Sequence, residues 1–80
     1  MNDVLLNFLR DFGDLIRAEA LKSKDEYRSA RGSEDEAFRS GRLMAYYEVV
    51  SLMRSQAEAF GIPVEALRLD GLDPERDLLA

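Results

Sequence analysis

The 80-residue chain contains no cysteine, no histidine and no tryptophan. Without cysteine there can be no disulfide bond, and without cysteine and histidine a structural zinc site of the usual kind is excluded. The same absences exclude nucleophilic catalysis by a Cys–His or Ser–His pair. A domain of this size buries only about 60–65% of the surface of its unfolded chain. Oligomerisation is therefore the remaining way to add stability.

Long apolar runs and a basic N-terminus are also missing. No apolar segment approaches the roughly 18 residues of a membrane-spanning helix. Residues 1–4 lack the positive charge with which a signal peptide starts. The lack of cysteine agrees with a reducing compartment. We therefore expect a soluble, cytoplasmic protein that has no membrane partner, and no residue pattern calls for a cofactor.

Positive charge is in deficit, since 11 lysines and arginines stand against 16 aspartates and glutamates, for a net charge of −5. The phosphate backbone repels such a protein, so nucleic acid is not an expected partner. Bases and acids nearly balance over residues 22–42, whereas the C-terminal part is strongly acidic. The candidate contacts for a basic partner are Asp70, Asp73, Glu75 and Asp77.

A first helix is predicted over about residues 3–30, with Asn2 or Asp3 as its N-cap. Its apolar stripe is one-sided, which indicates an outer helix that packs against one neighbour. The stripe consists of Leu5, Phe8, Leu9, Phe12, Leu15 and Ile16. Gly13 lies in the interior of this helix, where a glycine costs about 1 kcal/mol. We therefore expect a kink or a break there.

A second helix is predicted over about residues 34–60, after a turn at 31–33. Ser33 and Glu36 form the S-x-x-E pattern of a capping box, and Gly32 suits the left-handed position that ends the first helix. Gly61 followed by Ile62 predicts the same kind of ending for the second helix. The short turn makes the helices antiparallel neighbours. Residues 1–62 are thus expected to form one helical hairpin in an all-α fold.

The second helix is apolar over an arc of roughly 240°, although a surface helix needs only about 100°. The surplus predicts that it also contacts a second copy, so that two hairpins form a homodimeric four-helix bundle. Gly41 in its middle predicts a close helix crossing. The candidate interface comprises Phe38, Gly41, Leu43, Ala45, Tyr46, Tyr47, Val49, Val50, Leu52, Met53 and Ala57.

Residues 63–80 form an acidic tail that is either short helices or irregular chain. Pro63 and Asp73 are placed to begin two short helices. The leucines between them can fold back on the hairpin, although disorder of the last residues remains an alternative. If the tail folds back, it can cover the flank of the second helix that carries Tyr46 and Tyr47.

No constellation of residues supports catalysis. Glu19 and Glu48 lie near the apolar faces, but the chain lacks the histidines of a di-metal bundle site. Glu48 is expected either to pair with Arg17 or to be solvated. The leading hypothesis is a non-enzymatic homo-oligomeric interaction or regulatory module, with a possible protein partner. One alternative is an acidic inhibitor or antitoxin-like protein that binds a basic surface. Another is a small-ligand binder between hairpins, using Tyr46, Tyr47 and Arg54.

Overall fold

The computed structural model describes residues 2–79, which form two long helices and a short helical tail. The helix α1 spans Asp3–Ala30 and the helix α2 spans Glu36–Ala59. A 3₁₀ helix, Val64–Leu67, and a π-helical turn, Pro74–Leu79, follow them. No strand occurs among the described residues. The predicted all-α hairpin with a helical tail is confirmed.

The helix α1 begins as predicted and continues without interruption. The side chain of Asn2 accepts a hydrogen bond from the Leu5 amide at 2.8 Å, which makes it the N-cap. The prediction of a break at Gly13 is wrong, because α1 runs unbroken from Asp3 to Ala30. Gly13 is buried, and a Cβ placed on it would lie 1.7 Å from the carbonyl oxygen of Leu67. This glycine lets the tail approach the backbone of α1.

The turn differs from the predicted capping box. Ser33 uses its hydroxyl to donate to the Ala30 carbonyl at 2.6 Å, at the end of α1. The Glu36 carboxylate accepts from the amide of Gly32 at 2.6 Å rather than from that of Ser33. The N-cap residue of α2 is Asp35, so the helix begins at Glu36 instead of near residue 34. The left-handed conformation expected of Gly32 is present, with φ of 83°.

The C-terminus of α2 is the predicted glycine-capped ending. Gly61 has φ of 67°, and its amide donates to the Glu58 carbonyl at 3.1 Å. The Ile62 amide donates to the Ala57 carbonyl at 2.8 Å. These two bonds form a Schellman motif, which turns the chain back along the hairpin.

The tail folds back on the hairpin, as expected, and stays ordered through Leu79. Its leucines 67, 69, 72 and 78 are buried against both long helices. The core residues that they join are Ala20 of α1 and Leu43, Val50 and Ala57 of α2. The core therefore lies between the hairpin and its own tail.

The molecule is longer and more exposed than a compact chain of its size. Its radius of gyration is 13.9 Å and its dimensions are 47 × 21 × 17 Å, whereas a compact 80-residue domain has a radius near 12 Å. Its accessible surface is 5458 Å², against about 4,900 Å² expected from its mass. The tail covers only one side of the hairpin, which leaves the other side open to solvent.

Candidate interaction surface

Arginine side chains of the hairpin hold the tail by its carbonyl groups. On α1, the Arg17 guanidinium donates to the carbonyl oxygens of Arg68 at 3.0 Å and Asp70 at 2.6 Å. The expected ion pair between Arg17 and Glu48 is therefore wrong. The guanidinium points toward the tail side of the hairpin, and Glu48 is exposed, in agreement with the solvated alternative.

The same arrangement occurs on α2. The Arg54 guanidinium donates to the carbonyl oxygens of Leu69 at 2.9 Å and Leu72 at 3.0 Å. Near the turn of the hairpin, the buried Lys24 donates to the Leu78 carbonyl at 3.0 Å. Three cationic side chains of the hairpin thus donate hydrogen bonds to carbonyl groups of the tail. Charged donors make stronger hydrogen bonds than neutral ones, so these contacts help to hold the tail.

The tail closes off part of the surface that the sequence assigned to a second copy. Leu43, Val50 and Ala57 are buried within the single chain. Tyr46, Tyr47 and Met53 are partly buried against the same core. These six residues belong to the intrachain core, which is the arrangement that the tail-cover alternative described. The remaining five candidate interface residues, which are exposed, are Phe38, Gly41, Ala45, Val49 and Leu52.

A large apolar surface remains exposed at the open end of the hairpin, where α1 begins and α2 ends. With about 100° per residue, Phe8 and Leu15 lie on the side of α1 away from Arg17, and Leu52 lies on the side of α2 away from Arg54. Leu52 is 65% exposed and Phe60 is 76% exposed. We call this surface the open-end patch; it comprises Val4, Leu5, Phe8, Phe12, Leu15, Val49, Leu52 and Phe60.

A groove of about 370 Å³ runs through the open-end patch between the two helices and the start of the tail. Phe12, Leu52 and Phe60 form part of its rim. One side chain in its lining is polar, the amide of Gln56. The full lining consists of Leu9, Phe12, Leu52, Met53, Gln56, Ala57, Phe60, Ile62 and Leu67. The groove can accept an apolar side chain and offers one hydrogen-bonding group.

The half of the same face near the turn is charged rather than apolar. Arg42 and Glu19 form an ion pair across the helices at 3.3 Å, and Arg39 forms a second one with Glu26. The exposed ring of Phe38 lies 5.4 Å from the Arg39 guanidinium carbon. The apolar character of the face therefore falls off sharply between the open end and the turn.

Gly41 makes no close crossing within the chain. Nothing lies within 4 Å of a Cβ placed on it, so the close approach that its presence suggested occurs instead at Gly13. Contact of Gly41 with a second copy stays a prediction.

The acidic side chains of the tail are partly committed to the tail itself. The Asp73 carboxylate caps the π-helical turn by accepting from the amides of Glu75 at 3.0 Å and Arg76 at 3.1 Å. The Asp77 carboxylate accepts from the Arg76 guanidinium and from the Asp73 amide. Those two interactions lower the pKa of Asp77 from 3.8 to about 2. Of the four candidate acids for a basic partner, Asp70 and Glu75 are exposed and are not engaged in this way.

In the predicted ligand site between hairpins, the arginine is not available for a ligand. Arg54 already donates to two tail carbonyls, and both tyrosines pack against the core. Within residues 2–79 there is no group of three or more acidic residues that could hold a metal ion. In the same range, no helix is both long enough and apolar enough to cross a bilayer.

The contribution of α1 to the exposed surface was not predicted from the sequence. The apolar stripe of α1 was expected to contact α2, yet Leu5, Phe8, Phe12 and Leu15 are all exposed. The inward face of α1 is rotated toward Gly13 and Ala20, both of which are buried. The small side chains at these two positions were the available signal, because small residues on a helix face permit close packing of another backbone.

The chain matches no protein-family model, no curated protein and no solved structure. Its function is therefore inferred from its own residues and their arrangement.

Proposed function

We propose that this chain is a non-enzymatic, homo-oligomeric protein-interaction module, with a homodimer as its simplest assembly. The observation that carries this proposal is the open-end patch. It lies on the side of the hairpin that the tail leaves uncovered, and its eight side chains are 38–80% exposed.

The size of the patch supports a stable contact. With about 150–200 Å² for a large apolar side chain, its residues expose roughly 700–950 Å². The largest apolar patch of a typical monomer is about 300–600 Å². A standard protein interface takes about 800 Å² from each partner. The open-end patch therefore suits a complete interface without help from other surfaces.

A second copy of the chain is the partner that these observations favour. The patch holds projecting rings, such as Phe8 and Phe60, beside a groove that can accept an apolar side chain. A two-fold contact places the same surface on both subunits, so projections of one copy can meet the groove of the other. Two hairpins joined in this way form a four-helix assembly, with both tails on its outside.

The other candidate functions have less support. Two of the four tail acids that would contact a basic partner are engaged within the tail. The proposed ligand slot has its arginine occupied by tail carbonyls. The turn of the hairpin and the outer surface of the tail would remain available for a further protein partner. We place the module in the cytoplasm, in keeping with its cysteine-free sequence.

The test is the mass in solution, measured by light scattering after size exclusion over a hundredfold dilution. We expect the mass of two chains for the natural protein. Leu52→Asp should give one chain, because it buries a carboxylate in the apolar contact. The matched control is Leu21→Asp, since Leu21 is 40% exposed and lies on the outer side of α1, and this variant should remain a dimer. A folded single chain at every concentration would refute the proposal.

A further inference from the structure

The open-end patch is confined to one half of the hairpin's uncovered face. Its members lie in residues 4–15 of α1 and 49–60 of the α2 end. The other half carries the Glu19–Arg42 and Glu26–Arg39 ion pairs. A second copy can therefore pair with this face in two ways that both keep apolar surface on apolar surface, and they differ in what happens to the charged half.

In a parallel arrangement the two turns lie side by side. The ion pairs of one copy would then stack on the same ion pairs of the other. Taking charged groups out of water costs free energy that their attraction repays only with good additional hydrogen bonds. One atom of this cluster, Nε of Arg42, is already buried without a hydrogen-bond partner. The cluster therefore lacks spare acceptors for the additional hydrogen bonds that its burial would require.

In an antiparallel arrangement the copies overlap only at their open ends. The charged halves then extend away from each other and keep their water. Gln56, the one polar side chain of the groove, would lie near the two-fold axis. An amide group has both a donor and an acceptor, so two such groups related by a two-fold axis can pair with each other.

We propose that two copies pair antiparallel through their open-end patches alone, about an axis near Gln56, with their turns pointing in opposite directions. This inference rests on the proposed function and adds the geometry of the partner. At 1.5 Å per helical residue, the turns of the two copies would be about 65 Å apart. In the parallel arrangement, with packed helices about 10 Å apart, they would be within about 25 Å.

The cysteine-free sequence makes this distance directly measurable. The exposed Glu34 in the turn is replaced in the full chain, Glu34→Cys, and the single thiol is labelled with a nitroxide. Pulsed electron–electron double resonance then reports the distance between the two labels. We expect about 65 Å. A distance near 25 Å in a protein of two-chain mass would overturn the antiparallel geometry and leave the proposed homodimer standing.

Phe38→Asp provides an independent measurement. Phe38 lies outside the antiparallel contact and inside the parallel one. With the proposed antiparallel geometry, the variant should therefore keep the mass of two chains. Dissociation of this folded variant, or a mass that grows beyond two chains with concentration, would also overturn the inference. A single-chain mass for the unmodified protein would instead refute the proposed function itself.

Discussion

The backbone of Gly13 in α1 directly faces the carbonyl group of Leu67 in the tail. A Cβ added to Gly13 would lie 1.7 Å from that oxygen and 2.6 Å from the carbonyl carbon. Both distances are far shorter than any non-bonded contact. The helix and the tail can therefore pack at this distance only because residue 13 has no side chain.

This contact predicts opposite effects for two glycines in long helices. Gly13→Ala should lower the free energy of unfolding by about 1–3 kcal/mol, because the new methyl group displaces the tail. Gly41→Ala should raise it by about 0.5–1 kcal/mol, since alanine favours a helix and Gly41 has open space around it. Urea unfolding at a fixed chain concentration measures both values. Equal stabilisation of the two variants would contradict the close contact at Gly13.

Arg54 of α2 should determine how firmly the tail is held. Arg54→Met keeps most of the aliphatic side chain but removes the arginine donor from the Leu72 carbonyl and leaves the Leu69 carbonyl with the Leu72 amide at 3.3 Å. An unsatisfied buried polar group costs about 1–3 kcal/mol, so the tail should open more often. Hydrogen exchange of the Leu69 amide, which donates to the Val64 carbonyl, should become faster.

The control for this experiment is Arg28→Met, because Arg28 is an exposed residue of α1. In the Arg28→Met variant, the Leu69 amide should exchange at the same rate as in the natural protein. Equal exchange in the Arg54 variant would show that the tail stays closed without the hydrogen bonds of Arg54.

Two adjacent leucines at the end of the tail should differ greatly in their contribution to stability. Leu78 is 0% exposed and Leu79 is 43% exposed. Leu78→Ala should lower the free energy of unfolding by about 2–4 kcal/mol, through lost burial and the cavity left behind. Leu79→Ala should change it by less than about 1 kcal/mol. Thermal and urea unfolding measure the difference, and similar values for the two variants would mean that the π-helical turn is not packed as described.

Acid should loosen the π-helical turn through Asp77. The hydrogen bond from Arg76 and the one from the Asp73 amide lower the pKa of Asp77 from 3.8 to about 2. The folded state therefore holds this proton less tightly than the unfolded state. The resulting stabilisation is present above about pH 4 and is lost as the pH falls through about 2.

Carboxyl carbon NMR shifts recorded from pH 6 to pH 1.5 measure this pKa directly. The Asp73 amide shift should follow the same titration, since that amide donates to the Asp77 carboxylate. In Asp77→Asn the titration should disappear from the Asp73 amide. A midpoint near 4 for Asp77 would contradict the described contacts.

Most of the fold was predictable because local signals agree with one another. The Asn2 cap, the left-handed Gly32 and the Schellman ending at Gly61 are encoded by neighbouring residues. The exact start of α2 was not predictable, because Ser33 uses its hydroxyl to end α1. The same oxygen also accepts from the Asp35 amide at 3.2 Å, so one hydroxyl contacts both helix ends and the sequence does not rank the two uses.

The candidate surface was predicted only in part. Leu52 and Val49 belong to the open-end patch, whereas Leu43 and Val50 are covered by the tail. A helical wheel shows that α2 has two apolar sides, but it does not show which one an irregular tail will cover. That choice depends on contacts across about 50 residues of sequence, such as Arg17 with Asp70.

By itself, the sequence determined the all-α hairpin, its turn and its two helix endings, since periodicity and capping act over a few residues. The absence of cysteine and histidine likewise settled which sites the chain cannot build. The tertiary structure alone decided that the tail packs on Gly13 and between Arg17 and Arg54. It thereby decided which apolar side is core and which is the open-end patch, because burial is a property of the assembled elements and not of any one helix.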